Sequence, residues 1–194
     1  GLQLMFRNLL LLLLVPVLTA CATRVTAPDL VTEPRTVAVL EHGWHTSLML
    51  TKVDHTRVRY AFGDWRWYAE EKEGFWSGVR ALALPSRSAF GRQALPPEQP
   101  GERLDHVIGT GIAKMHVFAV EAGQVDALVN RLERLHRSGQ ASAFDNRTYN
   151  LVFVPHPQSY HFFVNSNHMV AQWLRDLGVD VRYTSAIGGW RLKP

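Results

Sequence analysis

His45 and Ser166 are the side chains whose types best suit covalent chemistry, and they are far apart along the chain. His45 lies in EHGWHTSL, at the start of an expected strand. An imidazole titrates near neutral pH, which suits a general base. A polar residue satisfied by backbone bonds is the plainer alternative. Ser166 falls at the expected first residue of the last helix. There a serine can cap the helix by accepting a backbone N–H bond. It can also act as a nucleophile, because a helix N-terminus stabilises negative charge and its free N–H groups can serve an oxyanion. The second role requires a histidine within hydrogen-bond reach.

Other residues could complete such a centre. Asp64, after the YAFG segment, is a candidate third member that would fix a histidine tautomer, or a cap for the helix that follows. Asn165 and Asn167 could orient a loop or donate hydrogen bonds. His161 and His168 flank Ser166. The aromatic run Trp65, Trp67, Tyr68, Phe75 and Trp76, with Trp44 nearby, could line a substrate cleft or pack as core. His42 and His45 form H-x-x-H, but strand alternation sends such a pair to opposite faces, and no third ligand stands at a matching spacing. No metal or cofactor is expected.

The elements that must position these residues read as follows. Residues 36–42, 46–51, 57–62 and 114–120 read as strands. Short helices are expected in 64–82, and a long loop holding at most one strand in 85–101, with its four prolines. Val125, Leu128, Val129, Leu132 and Leu135 form one apolar helix stripe, stopped at Gly139. Residues 140–158 read as loop with a short apolar piece at 151–154, and 160–164 as a strand. A second amphipathic helix carries Met169, Val170, Trp173, Leu174 and Leu177, ends at Gly178, and is followed by a strand at 179–183. This order predicts an α+β fold with a mainly antiparallel sheet.

The N-terminus carries a separate message. Arg7 precedes an apolar run from Leu9 to Leu18, and Leu18-Thr19-Ala20-Cys21 matches a lipobox. Met5 reads as the start residue. The run is too short to span a bilayer, which takes about 20 residues. Residues 1–20 therefore read as a lipoprotein signal peptide, 21–35 as a polar tether lipidated at Cys21, and 36–194 as one domain. Acyl chains such as palmitate would hold the protein on the membrane. Ala22 stands where an inner-membrane retention signal would place Asp, so the expected location is the periplasmic face of the outer membrane.

Composition agrees with a globular domain. The chain is 46% hydrophobic and 20% charged. Its net charge of +4 comes from scattered Lys and Arg, without the basic stripe of a nucleic-acid module. A mildly basic protein beside anionic lipid is the simpler reading. The single cysteine excludes an internal disulfide.

HGWHTSLML (42–50), YAFGDWRWY (60–68), PSRS (85–88) and YHFFVNSNHMVAQWLRDLG (160–178) together resemble the bacterial envelope family known as domain of unknown function 2459. That family is similar to circularly permuted papain-like domains of the NlpC type. The resemblance implies that His45 is the family's histidine and Asn167 its asparagine. It places Ser166 where the family shows a cysteine, and His168 where it shows a smaller polar residue. A thiol ionises near neutral pH and a hydroxyl does not. The implied protein is either a serine-type envelope hydrolase or acyltransferase, or an inactive binding lipoprotein. Its substrate would be peptidoglycan stem peptides, other amides, lipid acyl groups or glycans.

Overall fold

The computed structural model describes residues 22–43, 45–69, 85–161, 163–186 and 189–193. The fold is α+β with mostly antiparallel sheets, as its sequence predicts. The chain runs through β1 (Thr23–Thr26), β2 (Pro34–Glu41), β3 (Thr46–Thr51), β4 (Arg57–Asp64), α1 (Trp65–Ala69), β5 (Ser86–Leu95) and α2 (Leu104–Ile108). It continues with β6 (Lys114–Glu121), α3 (Ala122–Ser138), β7 (Phe144–Asn146), β8 (Leu151–Tyr160), α4 (Ser166–Asp176), β9 (Asp180–Arg182) and β10 (Trp190–Lys193). Seven strands form one sheet in the order β6-β2-β3-β4-β5-β8-β7, and β10-β1-β9 form a small second sheet.

Period-two alternation gives the large sheet two different faces. Val37, Val39, Leu48, Leu50, Val58, Tyr60, Phe62, Phe90 and Val154 point to one side. The apolar stripes of α3 and α4 cover them, with Trp173 and Leu174 fully buried. The opposite side carries Ala38, Leu40 and Met49 against α2, and Ala61 and Phe153 against α1. Between those two small clusters the same side bears Ser47 and Arg59.

Three expectations are corrected. Residues 22–35 do not form a free tether. Thr23–Thr26 is a strand, with Thr23 and Val25 buried, and β2 begins at Pro34. The first described strand therefore begins two positions after Cys21. The 85–101 segment holds the one strand its sequence allowed, but β5 takes up most of it, paired with both β4 and β8 from Ser88 to Arg92. Residues 151–160 form one strand despite Pro155 and Pro157. The partner β7 pairs only with Leu151–Phe153, so both prolines lie on an open edge where a missing N–H costs no ladder bond. In consequence, His161 and Val164 are joined by an isolated bridge, and the expected strand ends at Tyr160.

Candidate functional site

A cavity of about 480 Å³ opens on the polar side of the large sheet. Its chemistry comes from His42, His45, Ser47, Arg59, Trp67 and the 109–111 loop. The β2–β3 hairpin builds one wall. Its turn is closed by a 2.7 Å bond from His42 N–H to the His45 carbonyl, and Gly43 takes the positive φ (81°) that the turn requires.

That hairpin brings His42 and Ser47 together. Ser47 sits opposite Leu40 in the ladder, so His42 is its diagonal neighbour. His42 Nε2 lies 2.8 Å from Ser47 Oγ, and His42 Nδ1 lies 2.7 Å from the Gly111 carbonyl. A carbonyl only accepts, so Nδ1 carries the proton and Nε2 is left to accept from the serine hydroxyl. Burial lowers the His42 pKa below its ordinary value; the Gly111 bond opposes this and the Arg59 charge reinforces it. The ring is therefore a neutral base at pH 7. Hydroxyl, imidazole and carbonyl lie in one chain of hydrogen bonds, an arrangement that can activate a serine.

His45 turns into the same cavity. Its ring packs 5.6 Å from Tyr68 and 6.3 Å from Trp67, centroid to centroid. Its Nδ1 is buried and has no hydrogen-bond partner among the described residues. Burial, then the nearby His42, push its pKa down to about 4. Tyr68 can lie flat on β4 only because residue 63 is glycine; a Cβ there would collide with the Tyr68 ring.

Arg59 forms the cavity's far side and is 2% exposed. One Nη donates to Thr110 Oγ1 at 2.9 Å and the other to the Tyr149 carbonyl. Its Nε has no hydrogen-bond partner among the described residues. Desolvation lowers its pKa to about 10, so it remains a cation at neutral pH.

The residues singled out from sequence are distributed differently. Ser166 begins α4, but the cap is Asn165, whose side chain accepts from the N–H groups of Asn167 and His168. Ser166 Oγ accepts a long 3.4 Å bond from Thr46 N–H, and no hydrogen bond joins it to His45. The pairing of His45 with Ser166 is thus not formed. Helix α4 packs on the apolar side of the sheet, while the His45 ring faces the cavity.

Asn167 is a strut. It accepts from Thr46 Oγ1 at 2.6 Å and donates to the Ser185 carbonyl at 3.0 Å, while Trp190 Nε1 donates to the same threonine hydroxyl. Asp64 accepts from Trp67 N–H at 2.9 Å and from the Ser86 hydroxyl, so it caps α1 and does not orient a histidine. Trp65 stacks under the Arg87 guanidinium at 4.5 Å, outside the cavity. His161 Nδ1 accepts from Phe163 N–H within its own turn. His168 Nδ1 lies 3.0 Å from Asn165 Oδ1. Neither histidine reaches the cavity; of the tryptophans expected to bind, Trp67 does. Trp44 and Cys21 lie outside the described residues.

Sequence reasoning missed Ser47 and Arg59, and treated His42 only as a possible metal ligand. A hairpin register drawn through HGWHTS would have exposed the first pair. Arg59 carried a weaker signal, because RVRYAF reads as a strand with its arginines in solvent. Among the described residues, no three His, Cys, Asp or Glu side chains converge on a possible metal position. In comparisons with known proteins, no family model, no curated protein and no solved structure matches the chain.

Proposed function

We propose that this protein is a cell-envelope lipoprotein whose domain hydrolyses or transfers an acyl group with a His/Ser centre, Ser47 being the nucleophile and His42 the base. The observation that carries this reading is the 2.8 Å contact between His42 Nε2 and Ser47 Oγ on the wall of an open cavity. Ser47 Oγ attacks the carbonyl carbon of an ester or amide while its proton passes to His42 Nε2. The imidazolium then protonates the departing alcohol or amine. Water, deprotonated by the same nitrogen, releases the acyl group as a carboxylic acid and returns the proton to Ser47. The Gly111 carbonyl fixes the ring through Nδ1–H and stabilises the imidazolium, as a carboxylate does in a triad.

The resemblance to permuted papain-like envelope domains is consistent with an antiparallel sheet covered by α4. In this chain the nucleophile and base lie within one hairpin, not at the start of α4 as that resemblance implies. The lipoprotein part of the reading is supported by the lipobox and by charge. Arg24, Arg182 and Arg191 stand abreast across β9, β1 and β10, with Lys193 one row away. All four are exposed, and they border a groove of about 560 Å³. With Arg24 three positions after a lipidated Cys21, such a row would face anionic headgroups.

The test is labelling of the full-length protein with a fluorophosphonate, followed by peptide mapping and turnover of p-nitrophenyl esters. Label on Ser47 is expected. Ser47→Ala and His42→Gln should each lower turnover by about a thousandfold or more, while Ser166→Ala keeps it. Label on Ser166, or full turnover by Ser47→Ala, would overturn the assignment.

A further inference from the structure

Two arginines on β4 point to the same side of the sheet, and among the described residues only one has a counter-ion. Arg57 and Arg59 are 3% and 2% exposed. Arg57 forms a two-pronged ion pair with Glu102, at 2.6 and 2.9 Å. Arg59 is bonded only to a neutral hydroxyl and a neutral carbonyl, and makes no ion pair among the described residues. Burying a guanidinium without an anion is costly, and a protein interior ordinarily supplies the anion. Here the interior supplies a cavity.

Among the described residues, the other groups around that cavity add no negative charge. His42 is neutral with both ring nitrogens occupied. His45 is neutral, and its buried Nδ1 is unpaired. Thr110 holds the guanidinium in place. Of the five N–H groups of an arginine, Arg59 has committed two, and its Nε–H has no acceptor.

We infer that the cavity recognises an oxyanion, and that the substrate carries a carboxylate or phosphate which binds Arg59 while its acyl carbon lies at Ser47. An oxyanion supplies the counter-charge that Glu102 gives Arg57, and it accepts from the free guanidinium donors and from His45 in its Nδ1–H tautomer. The class so named is an anionic ester or amide, such as an acyl-amino acid with a free carboxylate. The substrate part rests on the hydrolase reading above; the binding part does not.

Binding to the full-length protein is measured by titration calorimetry and tryptophan fluorescence, using N-acetylalanine, its neutral amide and inorganic phosphate. The acid should bind at least about tenfold more tightly than the amide, the gain expected of a charge-assisted hydrogen bond. Tighter binding of phosphate than of the acid would assign the anion to a phosphate group; the reverse would assign it to a carboxylate. Arg59→Gln should abolish the preference. If that variant does not fold, the comparison of acid with amide on the wild-type protein decides alone. Equal binding of acid and amide, or binding weaker than about 1 mM for every anion, overturns the inference. Ser47→Ala separates the two readings, because it should bind the acid as the wild type does. Anion binding without any turnover removes the hydrolase reading and leaves the oxyanion site. Turnover that ignores substrate charge does the opposite.

Discussion

The two sides of the seven-stranded sheet come from the same strands and do different work. On β4 all eight residues are buried, yet Val58, Tyr60 and Phe62 face α3 and α4 while Arg59 and Ala61 face the cavity. One side is mainly hydrocarbon, with the Tyr60–Glu133 and Thr46–Asn167 hydrogen bonds set into it. The other holds charge, imidazole and empty space. Alternation that ordinarily means one wet face here means one polar interior, so the apolar side stabilises the domain and the polar side is free to bind.

The largest effect should come from the apolar side. Trp173 is 2% exposed and packs edge-on against Phe90 and Tyr60, at 5.9 and 6.4 Å between ring centroids. Trp173→Ala should cost about 3–5 kcal/mol in denaturant unfolding, with a fall in Tm of roughly 10 °C. Turnover per folded molecule should stay the same. A loss of turnover larger than the loss of folded protein would show that the two sides are coupled.

Acid should act through the other side. His45 is held neutral in the fold with a pKa of about 4, against 6.5 when unfolded. Between those values the unfolded chain binds the extra proton, so stability rises with pH. The His45 contribution is complete above pH 6.5 and is lost as pH falls toward 4, amounting to about 3 kcal/mol at most. His42, His136, His156 and His168 are shifted downward by the same cause, burial, and steepen the slope. Unfolding free energies from pH 7 to 4 should therefore decline, and His45→Phe should flatten the curve. An unchanged slope in that variant would mean that the ring is solvated.

Much of this contrast could be read in the sequence, and the reasons for the rest are physical. The stripes of α3 and α4 and the stops at Gly139 and Gly178 follow from local spacing, so their ends were legible. Gly178 takes a φ of 77°, which glycine tolerates. Strand β8 was not legible, because whether a proline is tolerated depends on which neighbour stops pairing first. Strand β1 was hidden likewise. TRVT gains its place only from β9 and β10, more than 150 residues away. His45 faces the cavity, but the serine paired with it from sequence lies across the sheet. Ser166 is where a nucleophile would stand, yet the ring near it faces the other way. The serine that does meet an imidazole is within the same hairpin, at a distance that only its register sets.

The smallest effect concerns the small sheet, which sharpens the contrast by placing its charges outside. Like charges directly opposite each other on neighbouring strands repel, and Arg24 faces both Arg191 and Arg182. Asp180 neutralises one of them, through Arg182 at 2.9 Å. The remaining repulsion is relieved when the row meets an anionic surface, at about 1 kcal/mol for each arginine. Full-length Cys21→Ser protein, which cannot be lipidated, should therefore bind phosphatidylglycerol vesicles at low salt and release them as salt shortens the screening length. Arg24→Ser and Arg191→Ser should each weaken that binding about fivefold, with turnover and stability nearly unchanged. Equal binding to neutral phosphatidylcholine vesicles would show that the arginine row does not face the membrane. With strand β1 starting two positions after Cys21, a lipid there would leave the domain little room to stand away from the bilayer. The row of arginines is then the side of the molecule whose contact with headgroups its own charges would favour.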